Sequence, residues 1–192
     1  TGSRERRIGV QRVAVAVEAV HERLVRRRLV GDGVVRGAVG RVERIRAGEK
    51  EVFLLLIKNP VGFNEILRTF VASPAGEAGA TSAKHVLIAI NDNHADGRDV
   101  SWLWDVDFEM LAGKAGTRFS VSGIRAEDMA VRLKYAELPV GAVISDRKEA
   151  LLSALEATPL GETLYVLPTY TAMLEIRQTL SDLGYTHPFW ED

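Results

Sequence analysis

"VFLLLIKNPVGFNEILRTF", residues 52–70, carries the fold's repeating unit in one stretch. Val52 to Ile57 form an unbroken apolar run, which suits a strand buried on both faces, as in a parallel sheet. Lys58-Asn59-Pro60 ends the run. Phe63, Ile66, Leu67 and Phe70 then recur at i, i+3, i+4 and i+7, which puts them on one face of a helix. A doubly buried strand followed by a one-faced helix has to pack as strand, crossover, strand.

The unit recurs to the end of the chain. "VLIAI" (86–90), "TRFSV" (117–121), "VGAVI" (140–144) and "TLYVL" (163–167) read as further strands. Between them, Ala126, Met129, Ala130 and Leu133 share one helical face, and Leu151, Leu152 and Leu155 are expected to form another. Met173, Ile176, Leu180 and Leu183 form a third, with Gly184 as a fitting stop. "ASPAGEAGATSAK" (72–84) reads as a loop by composition. The expected class is α/β: a Rossmann-like, mainly parallel sheet of about five to six strands with helices on both faces. Ligands of such sheets sit beyond the carboxyl ends of the strands. Lys58-Asn59-Pro60 and the segment after residue 90 both lie there.

The chain of 192 residues has no cysteine, which excludes disulfides, zinc-cysteine sites and thiol catalysis within it. No apolar run reaches the ~18 residues that span a bilayer, and no signal peptide is visible, so a cytoplasmic protein is expected. Charge is unevenly spread: residues 1–50 hold 13 Lys+Arg against 6 Asp+Glu, whereas the remainder holds 12 against 20. A basic arm for nucleic acid is one reading of that asymmetry, but the arm lacks the interleaved aromatics that stack on bases. No nucleic-acid partner is therefore expected. Residues 1–38 also break the strand–helix rhythm. They read as a separate extension before a domain at 39–192, with some helical character at "VAVEAVHERLVRRR" (15–28).

The chemistry-bearing stretch is "INDNHADGRDVSWLWDVDFEML" (90–111), with five aspartates in its first eighteen residues. As a calcium loop, Asp92, Asp96 and Gly97 fit the first, fifth and sixth positions. Leu103 then stands where a bidentate Glu is required. As part of a hydrolytic triad, the loop lacks partners: there are four histidines, no cysteine, and no Gly-x-Ser-x-Gly elbow. An aspartate that orients a histidine on another protein would look like this loop, acidic and flanked by large aromatics. Trp102 and Trp104 are interface anchors on that reading, and lie on one side if the segment is extended. Asp105 or Asp107 can instead cap a helical turn at "FEML".

"FLLLIKNPVGFNEIL", "NDNHADGRDVSWLWDVDFE", "SGIRAEDMAVRLKYA" and "YVLPTYTAMLEIR" together resemble the C-terminal domain of the MurT family, the Mur-ligase-like subunits of lipid II isoglutaminyl synthase. The resemblance spans about residues 38–190 and includes "GRVERI" at 40–45. It implies a Mur ligase C-terminal fold and a partner, the glutaminase GatD, which hydrolyses glutamine with a Cys-His pair. The full-length subunit uses ATP and Mg2+ to activate the D-glutamate α-carboxyl of lipid II, which ammonia converts to D-isoglutamine, at the inner face of the membrane. The glutaminase dyad lacks an acid, and the family lends it one. By motif position in "DGRDVSW" this is Asp99, with Asp96 and Asp105 as the next choices at the same surface. Arg41 matches an arginine that reaches the nucleotide, and Lys58-Asn59-Pro60 resembles a nucleotide-contacting step. A strand-to-helix turn explains Asn59-Pro60 equally well. Arg125 and Glu127 read as a salt-bridged helix start, and Thr171 as an N-cap.

Departures from the family are plain. Its phosphate loop and four-cysteine zinc ribbon are absent from this sequence, and Lys134-Tyr135-Ala136-Glu137 stands where a helix usually ends in Gly. Residues 1–38 do not resemble the end of the Mur central domain. They are expected to be its remnant or an out-of-frame translation, with "GVQRVAVAV" (9–17) as the telling run. Two alternatives to the synthase subunit remain: an inactive partner-binding fragment, and a metal-dependent hydrolase using Asp92, Asp96 and Asp99.

Overall fold

The structure, a computed structural model, describes residues 42–71, 84–112 and 116–187. The readings that concern residues 1–38, Arg41 and the loop at 72–83 lie outside the described residues.

Six strands form one sheet: β1 (Val42–Ala47), β2 (Lys50–Leu55), β3 (Lys84–Ala89), β4 (Thr117–Ser122), β5 (Val140–Ile144) and β6 (Thr163–Pro168). Their order is β1-β2-β6-β3-β4-β5. All neighbours from β2 to β5 are parallel, while β1 pairs antiparallel with β2 across a tight turn after Ala47. The expected sheet is therefore formed, with helices on both faces. β1 is the strand that an apolar-run search passes over. Of its residues 43–47, Ile45 and Ala47 are buried in the core and stand among charged residues, as in an edge strand.

Helices α1 (Pro60–Ile66), α2 (Ala126–Tyr135), α3 (Arg147–Ala157) and α4 (Tyr170–Asp182) cover the sheet. One face packs Leu54, Leu87, Leu164 and Val166 against Leu151 and Ala154 of α3 and Met173 and Ile176 of α4. On the other face the alternate residues of β2 and β6, Phe53 and Tyr165, meet Phe70 in a π-helical turn (Leu67–Val71) that continues α1. The helix face expected at 63–70 is buried throughout.

Two helix faces differ from expectation. In α3 the buried residues are Ala150, Leu151 and Ala154, while Leu152 is 41% exposed. Leu151 is buried and Leu155 packs against the same core, so of the three expected leucines only Leu152 turns outward, and Ala150 and Ala154 complete the face. In α4, Leu183 is the C-cap and leaves the core. Gly184, at φ 76°, donates to the Ser181 carbonyl and Tyr185 to that of Leu180, which closes the helix with paired C-terminal bonds.

Candidate functional site

The acidic loop leaves the carboxyl end of β3, flanked by β6 and β4, and its first residue is the hub of that edge. Asn91 is 1% exposed. Its amide N–H donates to Thr169 Oγ1 at 2.9 Å, and its Nδ2 to Thr171 Oγ1 at 2.9 Å. Its Oδ1 accepts from Ile124 N–H at 3.1 Å. One side chain thus ties the ends of β3 and β6 to the turn after β4. That turn needs Gly123: its φ is 94°, and a Cβ there would stand 2.3 Å from the Ile90 carbonyl oxygen. Asn91 was not singled out in the sequence; its position directly after a buried apolar run is the signal that could have found it.

The aspartates separate by partner. Asp92 faces Arg125 at 3.8 Å, and Arg125 also pairs with Asp128 at 3.1 Å. Asp96 turns into the fold, where its Oδ1 accepts from Thr171 N–H at 2.7 Å and its Oδ2 from Thr171 Oγ1 at 2.6 Å. Thr171 is therefore not the N-cap of α4. That position falls to Thr169, whose side chain makes no cap bond. Asp105 is exposed. Asp107 does not cap "FEML" with its side chain; it accepts from Asn64 Nδ2 and Arg68 and fastens the loop to α1. Asp92, Asp96 and Asp99 thus point to three different partners. Among the described residues no group of three or more His, Asp or Glu is placed to hold a metal.

Asp99 stands apart from the others. It is exposed, and its Oδ1 accepts from Ser101 N–H at 2.8 Å. The Ser101 side chain and amide together hold the carboxyl below the ordinary range, so it is an anion at neutral pH. Asp99 lines a cleft of about 270 Å3 with Arg98, Ser101, Trp104, Arg125 and Arg132.

The segment after Asp99 is not extended. Ser101–Asp105 is a 3-10 turn with about three residues per turn. Residues two apart therefore diverge, and the two tryptophans do not share a side. Trp102 packs toward the core against Phe63 (6.4 Å between centroids). Trp104 is 53% exposed and meets Tyr135 edge-on at 5.4 Å. Below it lies Arg132, 3% exposed, which donates to the Leu103 and Val106 carbonyls and forks onto Glu109. That bond holds the Glu109 carboxyl below its usual range. Arg132 was not singled out in the sequence; the buried Met129 and Ala136, three residues before and four after it on the same helical face, are the signal that could have found it.

Lys58 and Asn59 stand exposed at the end of β2. Asn59 caps α1 by accepting from Gly62 N–H at 2.8 Å, with Pro60 at the first helical position. The strand-to-helix turn is thus formed; it occupies Asn59 Oδ1 and leaves Lys58 as an exposed cation at the sheet's carboxyl edge.

A family model described as MurT ligase C-terminal matches residues 56–173. The chain belongs to the MurT family. The matched range opens at the end of β2 and closes in the first turn of α4, so it encloses the whole acidic loop and its anchors. The chain is 33% identical over 147 residues to the lipid II isoglutaminyl synthase (glutamine-hydrolyzing) subunit MurT of Streptococcus pneumoniae, covering 76% of this chain and 31% of that protein. It is 35% identical over 142 residues to the subunit of the same name from Staphylococcus aureus strain COL, covering 74% and 30%. The chain therefore spans about a third of the length of these MurT relatives. Among solved structures it is similar to a UDP-N-acetylmuramoyl-L-alanyl-D-glutamate–2,6-diaminopimelate ligase, with a TM-score of 0.44 and 16% identity over 78% of this chain and 33% of that one. Among the described residues no helix is long and apolar enough to cross a membrane.

Proposed function

We propose that this MurT-type domain acts within a lipid II isoglutaminyl synthase: it docks a GatD-type glutaminase and lends Asp99 to the glutaminase's Cys-His pair. The observation that carries this is the state of Asp99. It alone of the loop's aspartates combines an exposed carboxylate, a fixed orientation on Ser101 and a place in a cleft bordered by a half-exposed tryptophan. An ionised Asp hydrogen-bonded to an imidazole N–H fixes its tautomer and stabilises the imidazolium that forms as the thiol is deprotonated. Trp104 and Asp105 are both exposed and are the docking residues; Asp96 supports the loop from within, and Trp102 anchors the segment to the core.

In the whole subunit, ATP with Mg2+ activates the D-glutamate carboxyl of lipid II for attack by the ammonia released from glutamine. This chain has no glycine-rich phosphate loop to cradle a triphosphate. Lys58 suits the outer edge of such a site, where its ammonium meets phosphate as a point charge, with Asn59 beside it and Arg41 as a further contact. A zinc ribbon has no ligands here, since there is no cysteine. The reaction places the domain in the cytoplasm, at the membrane face that carries lipid II.

The second reading is a domain that docks the partner without itself supplying ligase activity; these 192 residues contain no glycine-rich phosphate loop. The two readings share the docking surface and differ in ATP turnover. The deciding experiment is glutamine hydrolysis by a GatD-type glutaminase mixed with the chain. Asp99→Asn is expected to keep the fold and lower kcat by up to about 10⁴-fold. Unchanged hydrolysis with Asp99→Asn dismisses the role of Asp99.

A further inference from the structure

Ser101–Asp105 is a single 3-10 turn, a geometry with poor hydrogen bonds that rarely persists without outside support. Asp99 fixes its start through Ser101. Its far end is fixed from α2. Arg132 Nε donates to the Leu103 carbonyl at 3.0 Å and its NH2 to the Val106 carbonyl at 2.6 Å. The same guanidinium forks onto both Glu109 oxygens at 2.9 Å, and its carbon lies 5.4 Å from the Trp104 ring centre and 5.2 Å from that of Phe108.

A guanidinium that is 3% exposed is an expensive way to fill space. An apolar side chain of the same volume commonly does as well for stability. The hydrogen bonds of Arg132 all go to one object, the segment 103–109 directly behind Asp99, and none goes to the sheet. Lysine cannot reproduce them, because it lacks the planar fork.

We propose that Arg132 is the positioning residue for Asp99: it braces the turn behind Asp99 and holds the carboxylate and the Trp104 ring as one rigid surface. This rests on the reading of Asp99 as the acid lent to a partner histidine. A displacement of about 1 Å at such a group lowers rates on the order of 100-fold, so the brace is read out in catalysis rather than in folding alone.

The test is a double-mutant cycle on glutamine hydrolysis by a cysteine-histidine glutaminase saturated with this chain. Arg132→Met is expected to lower kcat on the order of 10- to 100-fold with KM for glutamine unchanged, and Arg132→Lys to recover only part. In the Asp99→Asn background, Arg132→Met is expected to add no further loss. Glu109→Gln loosens the guanidinium from the exposed side and gives a smaller drop with the same dependence on Asp99; it decides the matter if Arg132→Met fails to fold. Equal fold-losses with and without the Asp99 carboxylate overturn the proposal, as does wild-type kcat for Arg132→Met. If Asp99→Asn itself is fully active, the reading of Asp99 fails first and the role of Arg132 with it.

Discussion

Asp96 and Thr171 are 75 residues apart in the chain and are joined twice, by the Thr171 amide at 2.7 Å and its hydroxyl at 2.6 Å. The carboxylate caps α4 from outside the helix, in place of a local side chain, and at the same time fixes the acidic loop three residues before Asp99. Negative charge at a helix N-terminus is favourable in its own right. Asp96→Ala is expected to lower the unfolding free energy by about 1–2 kcal/mol, read from the urea midpoint at unchanged m-value. Asp96→Asn retains the acceptor and should recover part of it.

The two tryptophans divide between fold and surface. Trp102 packs on Phe63, so Trp102→Ala should destabilise the domain by about 2–3 kcal/mol, less than a fully enclosed aromatic because it is only partly buried. Trp104→Ala should leave the melting temperature nearly unchanged and weaken association with a GatD-type partner by about 1–2 kcal/mol. Calorimetric unfolding and a titration with the glutaminase separate the two. Equal effects of both substitutions on association alone would contradict this division.

Glu137 holds φ at 58° just past the end of α2, where its N–H meets the Lys134 carbonyl and the next residue's N–H meets that of Leu133. A left-handed conformation costs an L-residue roughly 1–2 kcal/mol, and glycine's extra freedom in the unfolded chain takes back about half to all of 1 kcal/mol. Glu137→Gly is therefore expected to stabilise the domain by about 0.5–1 kcal/mol, a rise measurable in the urea midpoint. No loss of partner binding should accompany it.

His85 is 7% exposed at the start of β3, and burial lowers its pKa below 6.5. Glu162 opposes the shift, while Arg118 and Lys50 add to it. The folded state therefore holds the imidazole neutral, and the unfolded chain takes up its proton first as pH falls. Stability from this group is complete above about pH 6.5 and is lost as pH drops from there through the folded pKa. Unfolding free energies measured from about pH 7.5 to pH 5.5 should decline, and His85→Gln should flatten that slope.

Much of the fold was legible because each parallel strand is buried on both faces and so writes a continuous apolar run. β1 was not read as a strand, since the buried Ile45 and Ala47 of this edge strand stand between charges. The α3 face was legible in part: Leu151 and Leu155 pack on the core, but Ala150 and Ala154, which also touch it, look less like core than the exposed Leu152. The acidic loop could be found by composition, and its proposed acid, Asp99, was chosen by resemblance of motif. The partners of its other residues were hidden because they lie far off in the chain: Thr171 for Asp96, Asn64 and Arg68 for Asp107, and Arg132 for the Leu103 carbonyl. The expectation that Trp102 and Trp104 share a side failed on local geometry, because a 3-10 turn replaces the extended segment it assumed.

The last of the described strands, β6, is inserted between β2 and β3 near the middle of the sheet. Without it, the β1-β2 hairpin and the β3-β4-β5 ribbon share no strand pairing among the described residues. The residues that clasp the acidic loop, Thr169 and Thr171, emerge just behind it. The surface that presents Asp99 is therefore complete only when β6 and the first turn of α4 are in place. A partner recognising that surface would therefore read the joined sheet and not either half of it.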